Sequence, residues 1–480
     1  MADVIPRHML ANAPPSKSQT TRLLCASAFR LGLSYCQEVL GYLEKESHGV
    51  SPELGVDMGL VANVCQFVEV REKRFQLYLF FASVGGFFVF LVSQEVGITL
   101  FAIATSWLYF RKSYAERSTL IAGFRKENFP EFDAEKVFDA ELQPAAISAL
   151  PHDAQNLIVY TGFNPFVGAG TNLGGWSFTV DVSKPSEQLG SSAVPLSFQV
   201  EELYQAISDK MASADLQGLV MKDFYFVNGC EIRDDKEILP SIFGRPVQQL
   251  DPKRELQYMR GSDSRIRHYK WIRIHDWGQE LVMSYFLRCS IHGCNMFVEI
   301  NRFLLTPLSD QYRKIDALPH LASRRIVGMV LLSLLSGPIY GILTPVVLLG
   351  RLQEGLEELF GTKERKRRRD IKENLQFDYG AGQGLRQAFS SDRFAHYFQK
   401  ADGDFYTKVL ERVILSSIIT FLDEHHIDTS DLRERQTMIL NSGIIVQGGD
   451  VKAESLAVGV GAQAFKAPSP PRPISQGAAA

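Results

Sequence analysis

The stretch from Gly162 to Trp176 holds the residues whose types and spacing come nearest to ligand chemistry. Gly162, Gly168, Gly170, Gly174 and Gly175 follow an apolar run, with Asn164 and Asn172 between them. The backbone N–H groups of such a loop cradle phosphates when the loop opens a helix. No Gly-Lys-Ser/Thr closes this one, and the residues from Trp176 to Asp181 alternate as a strand does, so neither a P-loop nor a dinucleotide fingerprint is complete. The first expectation is a long inter-strand loop with turn glycines. The sharper one is a ligand- or partner-binding loop on Gly162, Asn164, Gly168, Gly170, Asn172 and Gly175.

Two clusters raise metal chemistry. Cys289, His292 and Cys294 lie close together, but no second cluster completes a four-ligand set, so the cysteines are read as small side chains beside a hairpin turn. Asp423, Glu424, His425, His426 and Asp428 end an amphipathic helix, where histidines interact favourably with the helix dipole. No metal and no cofactor is expected. Neither a serine nucleophile elbow, nor a His-Glu-x-x-His pair, nor a carboxylate dyad is present, and no enzyme is expected.

The run from Lys363 to Arg369 carries Lys363, Arg365, Lys366, Arg367, Arg368 and Arg369. It lies shortly after an apolar segment, which suits anionic lipid headgroups at about 1 kcal/mol for each basic side chain near the surface. A solvated helix face is the plainer reading. The formal net charge of −3 argues against nucleic acid as a partner. The six cysteines form no Cys-x-x-Cys pair, which fits a reducing compartment, and the polar, Pro-rich first residues lack the order of a signal peptide.

These groups have to be positioned against a membrane. From Phe75 to Phe110 the chain is apolar except at Ser93, Gln94 and Glu95, which predicts a helical transmembrane hairpin with a small external turn. Arg71, Lys73 and Arg74 before it and Arg111, Lys112 and Arg117 after it place both ends in the cytoplasm. A third apolar run, Ile326 to Gly350, is long enough to span. A span would export the basic run, so a re-entrant wedge broken at Gly337 and Pro338, or a tight hairpin, is favoured over it.

The rest reads as water-soluble α+β structure. Residues 1–74 form a cytosolic helical cap, 75–110 the hairpin, 111–323 a cytosolic α+β domain with an antiparallel sheet, and 324–351 the third apolar segment. Strands are expected over Asn156–Thr161, Trp176–Val182, Leu219–Val227, Ile266–Ile274, Glu280–Cys289 and Met296–Leu305, with a helix from Val200 to Met211. A helical region follows over 352–440. Within it Asp402–Glu424 carries a buried stripe at Tyr406, Val409, Leu410, Val413, Ile414, Ile418, Phe421 and Leu422, either packed within the chain or forming an oligomer seam. A short Gly-rich β module over 441–466 and a disordered tail over 467–480 complete the chain.

Thr21 to Ala26, Val159 to Gly170 with Gly175 to Phe178, and Ile427 to Arg435 with the Gly-rich end resemble uncharacterised membrane proteins of actinobacterial type. The resemblance spans most of the chain and brings no assigned activity, so no functional residues carry over. The function expected is a membrane-anchored scaffold or sensor, multi-pass in the cell membrane with most of the chain cytoplasmic. Its partners are the lipid bilayer, anionic headgroups, and a protein partner or a second copy of itself. A channel-like oligomer is the alternative, and an enzyme using the loop at 162–175 a weaker one. The apolar runs lack the ionisable residues an ion path needs, which favours anchoring.

Overall fold

The structure, a computed structural model, describes residues 15–45, 47–129, 155–186, 194–261, 265–359 and 362–441. The expected Gly-rich β module from 442 onward and the tail over 467–480 lie outside the described residues. The chain divides into two compact units, one of Met1–Thr179, Asp215–His292 and Phe297–Gly403, the other of Val180–Ala214, Gly293–Met296 and Asp404–Ala480.

The first unit begins with a helical cap. Helices α1 (Gln19–Leu31) and α2 (Leu33–Leu43) are separated at Gly32, whose φ of 71° stops one helix and starts the next. Ser18 caps α1 by accepting the N–H of Thr21 at 3.0 Å. Asp57 does the same for α3 (Met58–Val92), accepting from Leu60 at 2.9 Å. Helix α3 runs without interruption from cap residues such as Val61 and Cys65 into the apolar stretch, and α4 (Gln94–Phe124) returns after the single residue Ser93. That turn is tight because Gly97 lies against Phe90, where a Cβ would sit 2.4 Å from the Phe90 Cα.

The sheet is mixed, in the order β1-β3-β4-β5-β6-β2. Its strands are β1 (Leu157–Tyr160), β2 (Thr171–Asp181), β3 (Leu219–Asn228), β4 (Ile266–Asp276), β5 (Leu281–His292) and β6 (Asn295–Leu305). The expectation of an antiparallel sheet is corrected at one edge, where β1 runs parallel to β3, with Leu157 opposite Tyr225. Alternation along a strand does not distinguish the two directions, because side-chain period is the same in both. The β3–β4 and β4–β5 pairs are antiparallel as expected. One face buries Phe224, Phe226, Trp271 and Phe286, and the other Tyr225, Val227, Leu157 and Ile266, so both faces are covered.

The last helices of this unit decide where the apolar segment goes. After α6 (Pro252–Met259) and the short α7 (Asp310–Arg313) comes α8 (Ser323–Leu359), then the basic α9 (Thr362–Glu373) and the short α10 (Leu385–Ala388). The break expected at Gly337 and Pro338 is absent, since α8 continues through Pro338 and Pro345. A proline inside a helix removes one hydrogen bond and kinks the axis without ending the helix, provided the freed carbonyl finds another donor.

The second unit holds α5 (Val200–Ser213), most of α11 (Tyr397–Glu424), and α12 (Ser430–Asn441). The capping box of Gln199 and Glu202 starts α5, which buries Leu203, Tyr204, Ile207 and Met211. Leu410, Ile414, Ile418, Phe421 and Leu422 of α11 are buried within the chain. Phe198 packs edge-on to Phe421 at 5.0 Å, and Asp423 holds α12 through Thr429 at 2.6 Å and Arg433 at 2.5 Å.

Candidate functional site

The fold holds the Gly-rich loop at its middle, from Phe166 to Gly170, and at Gly175. Phe166 sits in the core, stacked on Phe286 at 4.3 Å, and its N–H donates to Asn164 Oδ1 at 3.1 Å. Gly168 N–H donates to Gln387 Oε1 at 2.9 Å, and Gln387 returns a bond to Gly170 O at 3.2 Å. A Cβ on Gly168 would meet Pro52 O at 2.5 Å, on Gly170 Leu304 O at 2.3 Å, and on Gly175 Ile300 O at 2.0 Å. Asn172 turns inward on its own segment, accepting from Gly174. These glycines therefore answer to close approach of neighbouring chain. Gly162 alone of the group faces open space, beside a fully exposed Phe163.

Beneath the loop lies a buried polar network that the sequence reading missed. The Glu53 carboxylate accepts from the backbone N–H groups of Leu385 and Arg386, both at 2.7 Å. Burial pushes the Glu53 carboxyl upward against these donors. Arg386, fully buried, donates to Glu280 O and Thr306 O at 2.8 Å, and burial lowers its guanidinium to about 10. Arg313 pairs with the Glu280 side chain at 3.0 Å. No local motif announces this network, because its members come from five separate segments.

The basic helix α9 is partly committed to its own protein. Arg367 and Arg368 pair with Glu364, at 3.1 and 2.7 Å, and Arg369 pairs with Glu373 at 2.7 Å. Arg368 and Lys372 lie over the Phe243 ring, and Ile371 is wholly buried. Arg365, Lys366 and Arg369 are exposed, while the side chain of Lys363 lies outside the described residues. Of the candidate ligands, Cys289 is buried and Cys294 exposed; His425 is engaged through Nδ1 with Phe421 O at 2.7 Å.

The apolar helices form the most distinctive arrangement. Met58–Val92 and Ser323–Leu348 are each long and apolar enough to cross a membrane, and only 11% and 17% of their most apolar stretches are buried. A core helix of a water-soluble protein would be mostly buried. Phe81, Phe88, Leu91, Ile103, Trp107 and Leu335 instead point outward, each more than half exposed. Inward positions are small or polar: Ser333, Gly337, Gly341 and Thr344 make one buried stripe of α8, facing Thr105 and Ser106 of α4. A Cβ on Gly337 would lie 2.5 Å from Ser106 Cα, so the two backbones are in direct contact. Small residues on the inner face of α8 and large apolar ones on its outer face let the backbones of α8 and α4 approach closely.

The same interface repairs the proline. Pro345 has no N–H to offer Gly341 O, and Ser83 Oγ of α3 lies 2.8 Å from that carbonyl and 2.7 Å from Leu79 O, its single proton serving either. At the base of the hairpin, Arg71 pairs with Glu116 at 2.9 Å and Lys112 with Glu72 at 2.5 Å, so charged side chains begin where the apolar surface ends. The sequence marks Gly337 only as part of an expected break, and neither its pairing with Gly341 nor the partners Ser83, Thr105 and Ser106 was read from it.

A family model described as an AbeC-like domain matches residues 175–452, more than half of the 480-residue chain. The matched residues include α8 and leave out α3 and α4. No curated protein and no solved structure matches the chain. By the extent of the family match, the chain belongs to the AbeC-like domain family.

Proposed function

We propose that this protein is a membrane-anchored scaffold or sensor, in which a water-soluble α+β body is held at the bilayer by the α3–α4 hairpin and α8. The observation that carries the reading is the reversed packing of these helices, with Gly337, Gly341, Thr105 and Ser106 buried and Phe88, Leu91, Ile103 and Leu335 exposed. The apolar part of α3, Phe75 to Val92, corresponds to about 27 Å of helix, close to the ~30 Å hydrocarbon thickness. Exposed Lys73, Arg74 and Arg111 at its base supply partners for anionic headgroups, joined on this reading by Arg365, Lys366 and Arg369. The inward positions of α8 are Gly, Ser and Thr and those of the apolar part of α3 are Phe75 and Leu79, none of them ionisable, which favours anchoring over conduction.

The open tip around Gly162 and Phe163 is the part of the Gly-rich loop free to meet a protein or ligand. The test of anchoring is fractionation of the full chain. It is expected to sediment with membranes, to stay there through an alkaline carbonate wash, and to be released by detergent. Recovery as a monodisperse protein in the detergent-free soluble fraction would refute the reading.

A further inference from the structure

We infer that α8 is a re-entrant wedge, which enters and leaves the bilayer through the face on which the water-soluble body sits. The inference rests on the membrane reading above and concerns the path of the chain within it.

The residues on either side of α8 belong to one core. Leu308, Tyr312 and Ile315 precede the helix, and Leu385 and Phe389 follow it; all pack in a single cluster with Val68 of α3 and Leu120 and Phe124 of α4. The two flanks are also hydrogen-bonded to each other. Ser309 N–H donates to Phe389 O at 2.9 Å, Ser391 N–H donates to Pro307 O at 2.8 Å, and Arg386 reaches Thr306 O. The start of α8 is clamped to the end of the hairpin. Buried Arg22 holds both Asp316 carboxylate oxygens, at 2.7 and 2.8 Å, together with Phe124 O at 2.9 Å. Arg125, next in the chain, donates to Leu318 O at 2.9 Å. If α8 crossed the bilayer once, halves of this core would lie on opposite sides of it.

The depth of the wedge follows from its contacts. Gly341 meets Ser83, Thr105 and Phe101, and Ser83 stands about midway between Phe75 and Val92. From Gly341 a straight helix to Leu359 would extend about 27 Å further, past the Ser93 turn. The charged residues Glu364 to Asp370 would then have to recross the hydrocarbon to bring Ile371 into its core with Tyr379 and Ile232. Pro345, whose unmade bond faces Ser83 at mid-depth, is where the axis of this continuous helix can kink, and the return to the body is completed after Leu359.

The full chain tests this, reconstituted in sealed vesicles of stated orientation containing phosphatidylglycerol. Cys230→Ser and Cys294→Ser remove the exposed thiols, and Glu95→Cys, Ser323→Cys and Lys366→Cys are then introduced one at a time and probed with a membrane-impermeant maleimide. Labelling of Ser323→Cys and Lys366→Cys from one side, with loss of labelling from the other, is expected, and Glu95→Cys should show the reverse. Lys366→Cys labelled from the side that labels Glu95→Cys would overturn the wedge while leaving membrane residence intact. Protein free of the vesicles would overturn both.

Discussion

Replacing Gly337 by Leu should separate α8 from α4, and the same change at Gly328 should not. At Gly337 even the first added carbon would lie 2.5 Å from Ser106 Cα and 2.6 Å from Ser106 N, both backbone atoms that cannot rotate away. Ordinary carbon contacts lie near 3.5 to 4.0 Å, so the helices must part by about 1 Å before the rest of the side chain is placed. Overpacking of this kind costs about 1 to 3 kcal/mol, and the gain in helix propensity on leaving glycine returns roughly 0.8 kcal/mol at most. We expect a net loss of about 1 kcal/mol. At roughly 1 to 2 °C per kcal/mol for a unit of this size, that is a fall in Tm of about 1 to 2 °C. Gly328 lies on the same helix with nothing within 4 Å of its would-be side chain, so Gly328→Leu should leave Tm unchanged or slightly raised. The assay is scanning fluorimetry of the detergent-solubilised full chain, repeated in lipid nanodiscs. Equal Tm values for the two variants would refute the packing argument.

Other perturbations separate the remaining parts of the account. Ser83→Ala orphans Gly341 O and should cost about 1 kcal/mol, and Pro345→Ala in that background, by restoring the helix N–H, should recover most of it; failure of the rescue in a double-mutant melt would discard the Ser83 assignment. Glu53→Gln replaces an acceptor of two amide N–H bonds with a group that presents a donor, and should destabilise the body by about 2 to 3 kcal/mol in urea unfolding; a midpoint unchanged from the parent would show that the network is dispensable. His275 is held down to about 3, first by burial and then by Arg273, so it stays neutral in the folded state where the unfolded chain takes up a proton. Its contribution is complete above pH ~6.5 and declines as pH falls toward 3, by about 1.4 kcal/mol at pH 5.5; Tm measured from pH 7.5 to 5 should fall, and His275→Gln should flatten the slope. An unaltered slope in that variant would exclude His275 as the titrating group.

The parts legible in the sequence share one property: their signal is local. Alternation from Ile266 to Leu305 marked β4, β5 and β6 within a few residues at each end, and Gly278 and Gly293 take the positive φ that their turns need. The start of β2 at Thr171 was hidden because Gly174 and Gly175 read as loop, although Gly175 is there to let Ile300 O approach. Parallel pairing of β1 with β3 is a long-range choice with no signature in either strand. The apolar segments announced themselves by composition, but the continuity of α8 through Pro345 is supported by a donor from another helix, Ser83, about 260 residues earlier. The candidate loop was visible as glycines, and only the neighbours Pro52, Gln387, Leu304 and Ile300 reveal that most of those glycines serve packing.

Lipid exposure of the outward side chains is the claim on which the rest depends. The most direct measurement is power-saturation EPR on the full chain in bilayers, with Cys230→Ser and Cys294→Ser and a single nitroxide at Ile103→Cys, Leu335→Cys or Lys366→Cys. Oxygen, which partitions into lipid, should relax the labels at 103 and 335 more effectively than a water-soluble nickel chelate, with the order reversed at 366. A nickel chelate reaching position 335 as freely as position 366 would place α8 in water and contradict the account.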